Sequence, residues 1–387
     1  MIFKDLKVLE LATVLAGPSV GQFFGELGAE VIKIENLKTR GDVTRTWKIP
    51  GEKEGDLSAY FCSVNWGKKS IAIDLSLEEG RSIVQKLAGQ SDIAITSYKP
   101  RDAEKLGVDY KAFSSINPRL IYGQITGYGS QNERVGYDAV IQAEAGFMDL
   151  NGEKNGPPIK MPVALMDVLA AHHLKEGLLL SLLKRGVSGK GEMVEISLIQ
   201  AAISSLANQA SNWLVANQLP QRQGSAHPNI APYGEVFETT DGQWLLLAVG
   251  TDQQFANLCS VLEMNELAFD DHYVSNQKRV ENRVHLNQII SGRIGQLISE
   301  QLLEKIHALK IPGGLIKNLK EVFEMPEARA LLIRSHGLTG VRTFVASNEK
   351  LNLLPPPHLG EHTTEVLNSI GVNIKEQDRL KQSEVIG

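Results

Sequence analysis

The sequence predicts an α/β protein: a Rossmann-like, parallel-sheet large domain with a small α+β domain added. Three observations carry this. Short apolar runs alternate with amphipathic stretches through the N-terminal third, two long apolar-rich helical stretches follow, and a hairpin signal then changes the pattern.

Val8 to Leu11 read as a short buried strand, Pro18 to Leu27 as a helix opened by Gly17 and Pro18, and Glu30 to Ile34 as a second strand, which is a βαβ unit. The alternation continues with a strand at Ser70 to Ile73, a helix opened by a Ser76-to-Glu79 capping box, and strands at Asp92 to Thr96 and Leu120 to Ile125. Such alternation implies a parallel sheet covered on both faces, with ligands beyond the strands' carboxyl ends. Ala164 to Leu183 and Ile196 to Val215 read as long helices. Around Arg222 to Asn229 the chain becomes rich in Gly, Pro and Asn, which marks a boundary. Glu235 to Glu238 and Trp244 to Val249 then flank Asp241-Gly242, a hairpin signature. Helices are expected at Gln253 to Leu262 and Leu297 to Leu309, ended by Pro312-Gly313-Gly314, and another from about Thr363. The expected organisation is residues 1–200 as the N-terminal part of the large domain, 201–224 as a linker or long helix, 225–325 as the small domain, and 326–387 as a return to the large domain.

The chain of 387 residues is 42% hydrophobic and 22% charged, which is enough for a substantial core, and its formal net charge of -5 argues against general nucleic-acid binding. Two cysteines far apart, Cys62 and Cys259, suggest a reducing compartment and no disulfide framework. With no secretory leader and no long apolar run evident, a cytoplasmic location away from membranes is expected. His358 and His362 have ligand-like spacing without further ligands nearby in the sequence, so no metal is expected.

On a helix over Ala164 to Leu183, Asp167 shares a stripe with Ala171, Leu174 and Leu178, so its carboxylate faces the core. A buried carboxylate is costly unless hydrogen-bonded, protonated or exposed to a cavity. Two readings stay open: Asp167 caps the helix, or it acts in catalysis. Basic residues cluster in Asn65-Trp66-Gly67-Lys68-Lys69-Ser70 and in Ser97-Tyr98-Lys99-Pro100-Arg101 followed by Lys105, on loops that could hold an anionic ligand or simply be solvated.

Taken in order, several segments resemble the class III CoA-transferases, the CaiB/BaiF family of formyl-CoA and carnitine CoA-transferases, over nearly the whole chain. They are VLELATVLAGPSVGQFFGELGAEVIKIE, the RGD of Arg40 to Asp42, NWGKKSIAIDL, IYGQITGYG, GYDAVIQAEAG, SGKGEMVEISLIQA and LGEHTTEVL. The resemblance implies a CoA-transferase working between carboxylic acids through aspartyl anhydride and aspartyl-CoA thioester intermediates, with Asp167 at the family's catalytic aspartate. It implies that Val14, Leu15 and Ala16 lie near the thioester and that Tyr137 and Asp138 line the pocket. It implies that Lys99 and Lys105 hold coenzyme A by their basic side chains, with Arg40, Lys68 and Lys69 as further candidate binding groups. Coenzyme A or acyl-CoA enters as substrate, with no permanently bound cofactor. The partners implied are an acyl-CoA donor, a small carboxylic acid acceptor and a second copy of the chain in an interlocked, threaded homodimer.

The glycine-rich loop that covers the intermediate in formyl-CoA transferases has no clear counterpart, since Gly224 to Gly234 reads GSAHPNIAPYG instead. The nearest alternative of the same fold, an α-methylacyl-CoA racemase, needs an acid/base pair across the substrate α-carbon. Such relatives carry His where this chain has Tyr137, and tyrosine is a much poorer base near neutrality.

Overall fold

In the computed structural model, residues 1–346 and 352–387 are described. The main sheet has six strands: β1 (Lys7–Leu11), β2 (Glu30–Asn36), β3 (Lys68–Ile73), β4 (Ile93–Thr96), β5 (Ile121–Thr126) and β6 (Met193–Ser197). Their spatial order is β3-β2-β1-β4-β5-β6 and every pairing is parallel. The α/β expectation is met, and the doubly wound order has a consequence for the site. Strand order reverses between β1 and β4, so the loops leaving these two strands diverge and open a crevice at their carboxyl ends.

Parallel strands covered on both faces are mostly apolar, and β4 is buried at every position. One side of the sheet packs Leu9, Ile71, Ile73, Val84, Leu87 and Leu367 into a continuous core. The C-terminal segment contributes to that core: Val366, Leu367, Leu380 and Ile386 belong to it, and the Gly387 N-H donates to the Ala72 carbonyl.

Several local expectations change. The helix after β3 spans Glu78–Gly89 with Leu77 at its N-cap and no side-chain cap, because Ser76 spends its hydroxyl and N-H on Asp74 Oδ1. The long helix expected over Ile196 to Val215 is replaced by β6, a helix at Leu198–Ser204 and another at Ala207–Leu214. Met193 to Ser197 are taken into the sheet by pairing with β5, and Ala207 has a left-handed φ of 48° that stops a continuous helix.

The chain forms two compact units, one of Met1–Ala145, Met161–Leu206 and Ala330–Gly387, the other of Gly146–Lys160 and Ala207–Arg329. Residues 146–160 were expected in the large domain. They join the second unit through the Gly224 N-H, which donates to the Gly152 carbonyl, and through Arg222, which donates to the Asp149 carbonyl and side chain. Within that unit the hairpin β7 (Tyr233–Glu238) and β8 (Trp244–Ala248) forms as expected, and β9 (Gly313–Leu315) adds a third antiparallel strand where a helix terminator was read. Phe237, Leu245, Leu247, Phe255, Ile290 and Ile306 sit in its core. In the first unit, β10 (Leu332–Ser335) and β11 (Leu338–Val341) form a further hairpin.

Candidate active site

Four residues separate the end of β1 from helix α1 (Ala16–Glu26), and Pro100 starts a short helix after β4. Between these loops lies a pocket enclosing about 250 Å³, lined by Thr13 to Gly17, Ser97 to Pro100, Ile125 to Gly127, the segment from Arg134 to Tyr137, and Asp167. It occupies the crevice where the strand order reverses.

Asp167 lies in the first turn of the Leu165–Ser188 helix. Its stripe packs inward as the periodicity predicted: Ala171, Leu174 and Leu178 are buried, and Asp167 itself is 9% exposed. The capping reading fails on geometry. The helix has no side-chain cap at Ala164, and the Met166 N-H is taken from outside by Asp138 Oδ1 at 2.8 Å. Gln142 Nε2 holds the other Asp138 oxygen at 2.7 Å. Among the described residues, nothing donates a hydrogen bond to the Asp167 carboxylate. Burial, and then the negative charge of Asp138, push its pKa up to about 7. Tyr60 is raised in the same direction, to about 12, by burial and by the charges of Asp167, Asp138 and Asp42.

Opposed to this acid in charge are backbone donors. Ala16 and Gly17 occupy the first turn of α1, where N-H groups have no partner inside the helix, and both line the pocket. Gly17 has no room for a side chain: a Cβ there would meet the Ala12 Cβ at 2.3 Å. Gly127 and Gly136 bring two loops together, since a Cβ on Gly127 would lie 2.7 Å from the Gly136 Cα.

Of the residues singled out from sequence, Val14, Leu15, Ala16, Lys99, Tyr137 and Asp167 share the pocket, and Asp138 adjoins it through Met166. Lys99 reaches across to donate to the Glu133 carbonyl at 2.9 Å. Lys68 is a correction. It is fully buried, with Glu10 Oε2 at 2.8 Å, the Pro18 carbonyl at 2.8 Å and Asn65 Oδ1 at 2.9 Å around its ammonium, and burial lowers its pKa to about 8. It is internal structure, out of a ligand's reach. Lys69 pairs with Glu30 and Glu365, and it, Arg40 and Lys105 lie outside the pocket lining.

Sequence reading did not single out Thr13, Arg134 or Val135 as pocket residues, nor Tyr60 beside it. The glycines of IYGQITGYG and GYDAVIQAEAG were the available signal, because close loop approach demands them. Arg134 stacks over Tyr128 with 4.2 Å from its guanidinium carbon to the ring centroid and pairs with Glu144.

Fold and pocket together define an α/β enzyme with a buried carboxylate at the switch point of a parallel sheet. The sequence profile of CoA-transferase family III matches residues 3–363, so the chain belongs to that family and is a family III CoA-transferase. It is 37% identical to a succinate–glutarate CoA-transferase of Agrobacterium fabrum, covering 94% of each chain. It is 34% identical to the human succinyl-CoA:glutarate CoA-transferase, over 95% of this chain and 85% of that one. A crystal structure of a CaiB/BaiF family protein from Brucella suis superposes with a TM-score of 0.83 at 38% identity, covering 94% of this chain and 98% of that one. No helix among the described residues is long and apolar enough to cross a membrane.

Proposed function

We propose that Asp167 is the nucleophile of a CoA transfer between small dicarboxylic acids, with succinyl-CoA as donor and glutarate as acceptor. The observation that carries this is the Asp167 carboxylate: nearly buried, without a hydrogen-bond donor among the described residues, and in one pocket with the first-turn N-H groups of α1. The choice of acids is supported by what the relatives of 37% and 34% identity are named for.

The chemistry suits a carboxylate. Asp167 attacks the thioester carbonyl of the donor, and the carbon–sulfur bond breaks to give an aspartyl-acyl anhydride and CoA thiolate. The thiolate then attacks the aspartyl carbonyl, releasing the donor acid and leaving an aspartyl-CoA thioester. The acceptor carboxylate attacks that thioester to form a second anhydride, and the freed thiolate attacks the acceptor's acyl carbon. This yields the new acyl-CoA and restores Asp167. Each attack builds an oxyanion, for which the Ala16 and Gly17 N-H groups are suited donors. Anhydrides hydrolyse readily, so an apolar lining such as Leu15, Val135 and Ile125 favours transfer over loss to water. Lys99 supplies positive charge for coenzyme A at the rim. The working unit is proposed to be the interlocked homodimer.

Incubation with succinyl-CoA followed by hydroxylamine or borohydride trapping and peptide mapping tests the assignment. A label on the peptide containing Asp167, together with loss of label and transfer in Asp167→Asn, is expected. Label on another residue, or full transfer by Asp167→Asn, rules it out.

A further inference from the structure

Val14 is a β-branched residue held at φ 71°, a left-handed conformation that costs such a side chain heavily unless its surroundings enforce it. Asp42 holds the backbone N-H of Val14. The Val14 N-H points between both Asp42 carboxylate oxygens, at 3.3 Å from each. Asp42 is 2% exposed and is itself locked. Lys33 lies 3.0 Å from Oδ2, the Thr44 hydroxyl donates to Oδ1 at 2.8 Å, and the Thr44 N-H donates to the same oxygen. Lys33 is fully buried and ties three points of this region together, because it also donates to Glu10 at 3.0 Å and to the Ala12 carbonyl at 2.7 Å. Glu10 in turn pairs with Lys68.

Burying this run of alternating charges has a large desolvation cost, and apolar residues of similar volume would fill the space at least as stably. Its geometric product is the Thr13–Ala16 bend. Thr13 is fixed by the Ser97 hydroxyl at 3.1 Å, Val14 by Asp42, and the chain then turns directly into the α1 N-terminus that lines the pocket. We propose that Asp42, oriented by Lys33 and Thr44, is a positioning residue for CoA transfer: it holds Val14 left-handed so that the Ala16 and Gly17 N-H groups face the reacting carbonyl. The proposal rests on the reading of this pocket as the transfer site.

The test is a double-mutant cycle between Asp42 and Val14, measuring kcat, KM for succinyl-CoA and melting temperature. Asp42→Asn in the otherwise unchanged chain is expected to lower kcat by about tenfold or more with a smaller change in KM. Val14→Gly removes the conformational cost, because glycine adopts positive φ freely. In the Val14→Gly background the same Asp42→Asn change is therefore expected to lower kcat by only about two- to threefold. An equal fold-loss in both backgrounds, or unchanged kcat in Asp42→Asn, overturns the proposal. Should Asp42→Asn fail to fold, Thr44→Ala, which removes one orienting hydrogen bond, is measured in both backgrounds under the same criterion. Trapping at Asp167 in the unsubstituted enzyme is scored separately, so a failed cycle with intact trapping refutes the positioning role alone, and failed trapping refutes the underlying reading.

Discussion

Asp138 and Asp167 are linked through one peptide unit. Asp138 Oδ1 accepts the Met166 N-H at 2.8 Å, which both starts the helix that carries Asp167 and sets a second negative charge beside it. Capping and pKa adjustment are thus performed by the same carboxylate. This frees Asp167 from the capping role that its place in the first turn suggested.

On the proposed mechanism only the Asp167 anion attacks, so the transfer rate is expected to follow its ionisation. With its pKa pushed to about 7, first by burial and then by Asp138, kcat/KM is expected to rise through neutral pH and level off above it. Asp138→Asn keeps an acceptor for Met166 but removes the charge, so the rising limb is expected to move to lower pH. A pH–rate profile of the two proteins measures this, and an unmoved limb contradicts the coupling.

The same ionisation affects stability. The folded-state pKa lies above the ordinary carboxylate value, so folding favours the protonated acid. Stability is full below about pH 4 and is lost as pH rises toward 7. Asp167→Asn does not ionise. Its unfolding free energy relative to the unsubstituted protein is expected to improve by roughly 2 to 4 kcal/mol between pH 4 and pH 8, readable from denaturant melts.

If Lys99 holds coenzyme A as proposed, Lys99→Ala is expected to raise KM for acyl-CoA about tenfold with little change in kcat, because an ammonium lining the pocket would then contribute to binding in ground and transition states alike. Steady-state kinetics with varied acyl-CoA decide it. A selective fall in kcat assigns Lys99 to the chemistry instead.

Lys68→Met is expected to act on folding. It leaves Glu10 buried with one of its two ammonium partners gone and costs about 3 to 5 kcal/mol of stability in a denaturant melt. If the variant is fully stable with a weakened KM for acyl-CoA, Lys68 contacts ligand after all.

Gly17→Ala forces a Cβ against Ala12, and α1 must shift at its first turn. A stability loss of about 1 to 3 kcal/mol and a lower kcat are expected together. Unchanged kcat would separate the helix start from catalysis.

The local pattern in the sequence was sufficient for the alternating strands and helices, the hairpin at Asp241-Gly242, and the inward stripe of the Asp167 helix, because periods of 2 and 3.6 residues are set by backbone geometry and bury one face wherever the element forms. The ordered motifs were sufficient for the family. They could not show which charges face ligand and which face protein. Lys68 and Lys69 are neighbours in sequence, yet alternation along β3 sends one into the interior against Glu10 and leaves the other partly exposed. The pairing of β6 with β5, the allocation of residues 146–160, and the hold of Asp42 on Val14 likewise join residues distant along the chain. Tertiary structure alone decided these, since the free energy of a buried hydrogen bond or ion pair depends on which groups folding brings within about 3 Å and removes from water.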